Sequence, residues 1–107
     1  MKFTKVLSAV LLLACLGSLA AQVRKGAGTE WQALIKKADD LYHKGEYARA
    51  LEVGKQALQI AEKNVGPDHP DVATSLENIA YLYRATKREK EAEELEARAA
   101  RIRSIKR

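Results

Sequence analysis

Residues 38–60, ADDLYHKGEYARALEVGKQALQI, return 42 residues later as AYLYRATKREKEAEELEARAARI, residues 80–102. Small or apolar residues hold the same places in both copies. A fixed period of this size is typical of stacked helical arrays, in which each unit buries its apolar face against the next. The matched pairs are Leu34 and Leu76, Ala38 and Ala80, Leu41 and Tyr83, Ala50 and Ala92, Ala57 and Ala99, and Ile60 and Ile102.

The segments around these residues show the spacing of amphipathic helices. Apolar residues recur at steps of three and four, and no segment alternates with period two, so no strand is expected. The sequence therefore predicts an all-α fold of four helices, arranged as two stacked helix-turn-helix repeats of an α-solenoid. Repeat 1 spans about 29–65 and repeat 2 about 71–105. The predicted helices begin at Thr29, Tyr47, Asp71 and Glu89.

Local signals mark the ends of these helices. Thr29 opens the run TEWQ, which predicts a capping box at the start of the first helix. Gly45 lies where two antiparallel helices need a tight turn, and Gly66 is expected to end the second helix with a positive φ. Pro70 suits the first turn of the third helix, with Asp68 or His69 as its cap.

The first 21 residues resemble an export signal. Lys2 and Lys5 precede the apolar stretch VLSAVLLLA, and Ser18-Leu19-Ala20 offers the small residues that a signal peptidase requires. This interpretation divides the chain into a signal peptide (1–21), a flexible linker (22–28) and a helical repeat domain (29–107). The protein would then be periplasmic or secreted.

Two other interpretations of the N-terminus stay open. The run Leu12-Leu13-Ala14-Cys15 resembles the lipidation site of bacterial lipoproteins, with Cys15 as the lipidated residue. Alternatively, residues 6–23 are long enough to cross a bilayer if they are not removed. The protein would contact a membrane only in these two cases.

Composition narrows the class of function. Cys15 is the single cysteine and lies inside the predicted signal, so the repeat domain has no disulfide and no cysteine-based metal site. The formal net charge is +5, with a cluster of cations near the C-terminus. A helix C-terminus accommodates such cations, and an acidic partner or anionic lipid is the alternative. Nucleic acid is not an expected partner of an exported chain.

No arrangement of residues predicts catalysis, and no cofactor is implied. His43 and His69 have no second histidine at a metal-binding spacing. Asp39 and Asp40 are adjacent and so point about 100° apart on a helix. Ser75 has no base near it in the sequence. We therefore expect that the protein is not an enzyme and binds no metal.

The repeat pattern resembles the tetratricopeptide repeat family. The similarity covers residues 30–105. More narrowly, the 42-residue period and the run GPDHPDVATSLENIA, residues 66–80, are similar to the repeats of kinesin light chains and their bacterial relatives. The residues that carry the resemblance are Ala38, Leu41, Gly45, Tyr47, Ala50 and Ala57 in repeat 1, and Ala80, Tyr83, Ala92 and Ala99 in repeat 2.

The resemblance implies a protein-interaction module with a concave groove lined by the first helix of each repeat. Asn78 matches a position that often holds a peptide main chain in the family, and Arg84 is expected to pair with an acidic group. The groove positions that the resemblance implies are Gln32, Ile35, Lys36, Asp39, Tyr42 and His43 in repeat 1, and Thr74, Glu77, Asn78, Tyr81, Arg84 and Ala85 in repeat 2.

Repeat 2 departs from the family pattern. Lys87 and Glu89 replace the glycine and the aromatic residue of the helix turn, so we expect this end to be looser. Two repeats are fewer than such arrays usually need. We therefore expect the last helix to expose apolar surface, and the protein to self-associate or bind a stabilising partner.

The sequence thus predicts a non-catalytic scaffold exported to the cell envelope, which binds a protein or peptide in its groove. The alternative is an envelope assembly factor tethered to the membrane by lipid or by an uncut helix.

Overall fold

A computed structural model describes residues 26–107, and within them the chain forms four α-helices and no strand. Each helix packs against the next one along the chain, and α1 also touches α3. The predicted all-α fold of two stacked repeats is confirmed. The predicted signal peptide and Cys15 lie outside the described residues. The helices are α1 (Thr29–His43), α2 (Tyr47–Val65), α3 (Pro70–Ala85) and α4 (Glu89–Arg103).

The first helices of the two repeats begin differently. At α3 the His69 ring nitrogen Nδ1 accepts the Asp71 backbone N–H at 3.0 Å, and Pro70 occupies the first turn, as predicted. At α1 the predicted capping box is wrong. Thr29 is already helical, Gly28 is the residue before the helix, and no side chain caps it.

The turns within the two hairpins have the same hydrogen bonds. Glu46 donates its backbone N–H to Leu41 at 2.9 Å, and Arg88, 42 residues on, donates to Tyr83 at 2.8 Å. Gly45 adopts a positive φ of 77°, as expected of its turn. Lys87 adopts the same conformation, with φ 62°. The second turn is therefore as closed as the first, and the expectation that its lack of glycine loosens it is wrong.

Small residues let the repeats pack closely. Ala50, Ala57 and Ala92 are fully buried, and Ala99 is almost so. Gly54 is also buried in α2, where an added Cβ would lie 3.3 Å from the Ile79 side chain of α3. This position therefore belongs to the contact between the repeats, as the sequence suggested.

A buried hydrogen-bond chain also joins the repeats. The Trp31 indole N–H donates to the Ser75 hydroxyl at 2.7 Å, and this hydroxyl donates to the Asp71 carbonyl at 3.1 Å. Ser75 is completely buried. A buried hydroxyl is costly unless it is bonded, so this chain specifies how α1 sits on α3.

The last helix does not expose the predicted apolar surface. The large apolar side chains exposed in residues 26–107 are Tyr81 and Ile105, and Ile105 lies beyond the end of α4. The outer side of α4 carries charged residues, and Ala92, Ala99 and Ile102 point into the core. In the described part of the chain, no helix combines the length and apolar character needed to cross a membrane.

Candidate functional site: the cleft between the first helices of the repeats

A cleft of about 330 Å³ lies between α1 and α3. The predicted groove residues of both repeats meet there, although they are far apart in the sequence. Its lining residues that the sequence predicted are Gln32, Ile35, Lys36, Asp39, Tyr42, Asn78 and Tyr81.

The floor of the cleft is apolar. Trp31, Ala38 and Leu82 line it and are each less than a tenth exposed, and Ile35 beside them is half-buried. The sequence analysis assigned these residues to the packing stripe and missed their second role. Their signal was present, because Trp31 and Ala38 flank the predicted groove position Ile35 on a neighbouring helical face.

Two tyrosines close over one part of the cleft. The Tyr42 hydroxyl donates to the Tyr81 hydroxyl at 3.1 Å, and their ring centroids lie 5.0 Å apart in an edge-to-face arrangement. This hydrogen bond is the main cause that raises the pKa of Tyr42. Tyr81 is 58% exposed, unusually so for a large aromatic residue. It offers apolar area and a polar tip, a combination that is enriched at interfaces.

Polar groups surround this apolar floor. Lys36 and Asp39 are exposed on α1, and Asn78 is half-buried on α3. The Asn78 amide provides both donors and an acceptor, which is what the main chain of a peptide requires. The charges of Lys36 and Asp39 are opposite, so the cleft does not select strongly for one sign of ligand.

His43 lies next to the cleft without lining it. Its ring stands edge-on to Tyr42 with centroids 5.4 Å apart, and its Nε2 lies 3.5 Å from Asp39 Oδ1. Both members of this pair are about two-thirds exposed. His43 can therefore influence how Tyr42 and Asp39 are oriented.

Thr74, Glu77 and Arg84, three other predicted groove residues, bind the last helix instead. Arg103 donates to Glu77 at 2.6 Å and to Thr74 at 3.2 Å. Arg84 donates to Glu89 and to Glu96.

These ion pairs change the pKa values of their members in the expected directions. The bond from Arg103 lowers the pKa of Glu77, and the bond from Arg84 lowers the pKa of Glu96. Arg84 is therefore engaged by the chain's own carboxylates, which differs from its expected role as a partner of a ligand's acidic group.

Within residues 26–107, no three His, Cys, Asp or Glu side chains come together as metal ligands. The hydroxyl of Ser75 is held between an indole N–H and a backbone carbonyl, so it has no base to activate it. The arrangement supports binding between two helices.

Two short helical hairpins, stacked with a cleft between their first helices, define a helical-repeat protein. The family model described as "Tetratricopeptide repeat" matches residues 32–104. The chain therefore belongs to the tetratricopeptide repeat family, whose members typically act as non-catalytic scaffolds for protein–protein interaction. A search of curated proteins returned no significant match.

Proposed function

We propose that this protein is an exported, non-catalytic module that binds a peptide segment of another protein in the cleft between α1 and α3. The observation that carries this proposal is the cleft itself. It combines an apolar floor, an exposed aromatic side chain and a half-buried amide on two helices that face each other.

The floor favours a ligand with one apolar side chain. Trp31 and Leu82 are rigidly packed, so a side chain that enters the cleft meets preformed walls. Trp31 is also fixed by its bond to Ser75. Preformed sites bind more tightly because little entropy is lost on binding.

The rim favours recognition of the ligand's main chain. Asn78 offers its amide beside the floor, and Tyr81 presents its ring and hydroxyl at the opening. A ligand group that bonds the Tyr81 hydroxyl would compete with Tyr42 for it. The Lys36 and Asp39 pair of charges suits a peptide whose flanking residues are mixed in sign.

A displayed peptide library, selected against the protein and measured by titration calorimetry, tests this proposal. We expect the selected peptides to share one apolar residue and to lose at least tenfold in affinity with Tyr81→Ala and with Asn78→Ala. Gln59→Ala, on the exposed side of α2, is the control and should bind as the wild type does. Ligands whose affinity is unchanged by both cleft substitutions would contradict the proposal.

The proposed location in the cell envelope is supported by the sequence of residues 1–21. The intact mass of the protein isolated from its native cells distinguishes the forms. A mass that corresponds to cleavage after Ala20 or Ala21 supports an exported soluble module. A mass with lipid on Cys15, or with the N-terminal residues retained, supports the membrane-tethered assembly factor.

A further inference from the structure

Residues 26–28, Gly-Ala-Gly, lie against the junction between the two repeats. The sequence analysis placed them in a flexible linker. For these three residues that expectation is wrong, because Ala27 is only 1% exposed and belongs to the core cluster that includes Trp31 and Leu76. Its methyl group therefore occupies an enclosed space in the fold.

Two side chains hold the main chain of Ala27, one from each side of the junction. Asp71 Oδ2, at the start of α3, accepts the Ala27 backbone N–H at 2.8 Å. Asn64 Nδ2, near the end of α2, donates to the Ala27 carbonyl at 2.8 Å. Both backbone polar groups of one residue are thus bonded by side chains of the two repeats.

The space around the segment selects for small residues. A Cβ added to Gly26 would lie 2.4 Å from Asp71 Oδ2, closer than real atoms approach. Gly26 also has a φ of 109° and Gly28 a φ of 98°, a region that side chains disfavour. Glycine on both sides of a buried alanine is therefore what this site requires.

We infer that the junction between the repeats is a second peptide-binding site, occupied by the chain's own residues 26–28. The site reads main chain through Asn64 and Asp71 and takes a methyl-sized side chain in the core. It is distinct from the cleft, and it requires no ligand there.

The occupied site fixes the direction in which the chain enters the domain. The residues that precede Gly26 join the fold at the repeat junction, and Trp31 of the cleft floor follows one turn after Gly28. The Asp71 backbone carbonyl also accepts the Ser75 hydroxyl that orients Trp31. Whatever is attached to the N-terminal side is thereby held in a fixed orientation to the cleft.

Hydrogen exchange of the Ala27 amide, measured by NMR on the protein in the form isolated from its cells, tests this inference. We expect strong protection in the wild type and at least a tenfold faster exchange in Gly26→Ala. Gly66→Ala is the matched control, since Gly66 has a similar φ of 85° but no atom within 4 Å of an added Cβ. It should leave the Ala27 amide protected.

A second pair of variants removes one bond of the site without adding bulk. Asn64→Ala deletes the donor to the Ala27 carbonyl and should also speed exchange of the Ala27 amide. Lys63→Ala, at the exposed neighbouring position, should not. Fast exchange of Ala27 in the wild type, or protection unchanged by both Gly26→Ala and Asn64→Ala, would overturn the inference.

Discussion

Helices α2 and α4 occupy equivalent places in their repeats, yet their surfaces on the side of a following repeat differ in character. Gly54 and Ala61 of α2 are buried, and α3 packs closely over Gly54. The positions 42 residues later in α4 are Glu96 and Arg103. These side chains pair with Arg84 and Glu77 of α3, over the surface that a third repeat would need.

The first end of the array shows the same difference. Ile79 and Leu82 of α3 are buried at the contact between the repeats. Their counterparts in α1, 42 residues earlier, are Lys37 and Asp40, and both are exposed. Terminal repeats of such arrays need polar outer faces to remain soluble.

The comparison explains how two repeats replace the three that such arrays usually need. Charged side chains stand at each end in the places where apolar or small residues make the internal contact. Stacking of further repeats, or of other copies of the chain, would have to remove water from these charges, which is costly. The cleft between α1 and α3 is then the surface left for a partner.

The largest effect is expected when an end residue is placed inside. Gly54→Glu would bury a carboxylate against Ile79, and an unpaired buried charge together with overpacking should cost more than about 3 kcal/mol of unfolding free energy. Urea denaturation measures the change. The control is Glu96→Ala at the equivalent position, which should cost less than about 1 kcal/mol because it removes an exposed pair. Equal costs at the two positions would contradict the comparison.

A second test compares two leucines that the repeat makes equivalent. Leu76 is fully buried between the repeats, whereas Leu34 is half-buried in α1. Leu76→Ala should cost about 2–5 kcal/mol, the range for a buried leucine, and Leu34→Ala clearly less. Thermal unfolding followed by circular dichroism gives both values. If Leu34→Ala proved the more damaging, the core would not be centred on the junction as described.

The two hairpin turns provide a third, smaller test. They share one backbone conformation, but Gly45 provides it freely, whereas Lys87 adopts it against its preference. Gly45→Ala should therefore cost about 1–2 kcal/mol, the usual penalty of this conformation, because an added Cβ meets no atom there.

The reverse substitution makes the comparison sharper. Lys87→Gly should stabilise the protein by up to about 1 kcal/mol, since glycine removes the strain but loses more entropy on folding. Both changes are measurable by chemical denaturation. A destabilising effect of Lys87→Gly would mean that the lysine makes compensating contacts.

The ion pairs at the last repeat predict the smallest effect, a dependence on pH. The pKa values of Glu77 and Glu96 are lowered in the folded protein by Arg103 and Arg84. Their contribution to stability is therefore complete above the unfolded pKa, about 4.3, and is lost as the pH falls through the lower folded values.

A double variant isolates this contribution. With Glu77→Gln and Glu96→Gln together, the melting temperature should fall less steeply below about pH 4.5 than in the wild type. Glu94→Gln, exposed on α4, is the control and should follow the wild-type curve. Identical curves for the double variant and the wild type would show that these pairs do not stabilise the fold.

Much of the fold could be predicted because it is encoded in a period. Equivalent alanines and leucines 42 residues apart predicted four helices, and Gly45, Gly66 and Pro70 predicted their ends. The cap of α1 was missed because Thr29 satisfies the local pattern, while the docked residues 26–28 decide where the helix begins. A contact so distant in sequence leaves no local signal.

The candidate site was predicted in part for the same reason. The positions that face α3 from α1 follow from helix geometry and from the family, so Ile35, Asp39 and Tyr42 were found. Thr74, Glu77 and Arg84 were misplaced because their partners, among them Arg103 and Glu96, depend on where the array ends. The sequence shows these charges, and only the fold shows which surface they cover.

The central claim is that two repeats form a closed array whose ends do not stack. Sedimentation equilibrium of the protein isolated from its cells, over a wide range of concentrations, tests it most directly. The account predicts the mass of one chain at every concentration, for the wild type and for Glu96→Ala alike. A dimer that forms reversibly in the wild type and is lost on charge reversal at Lys37 or Glu96 would contradict it.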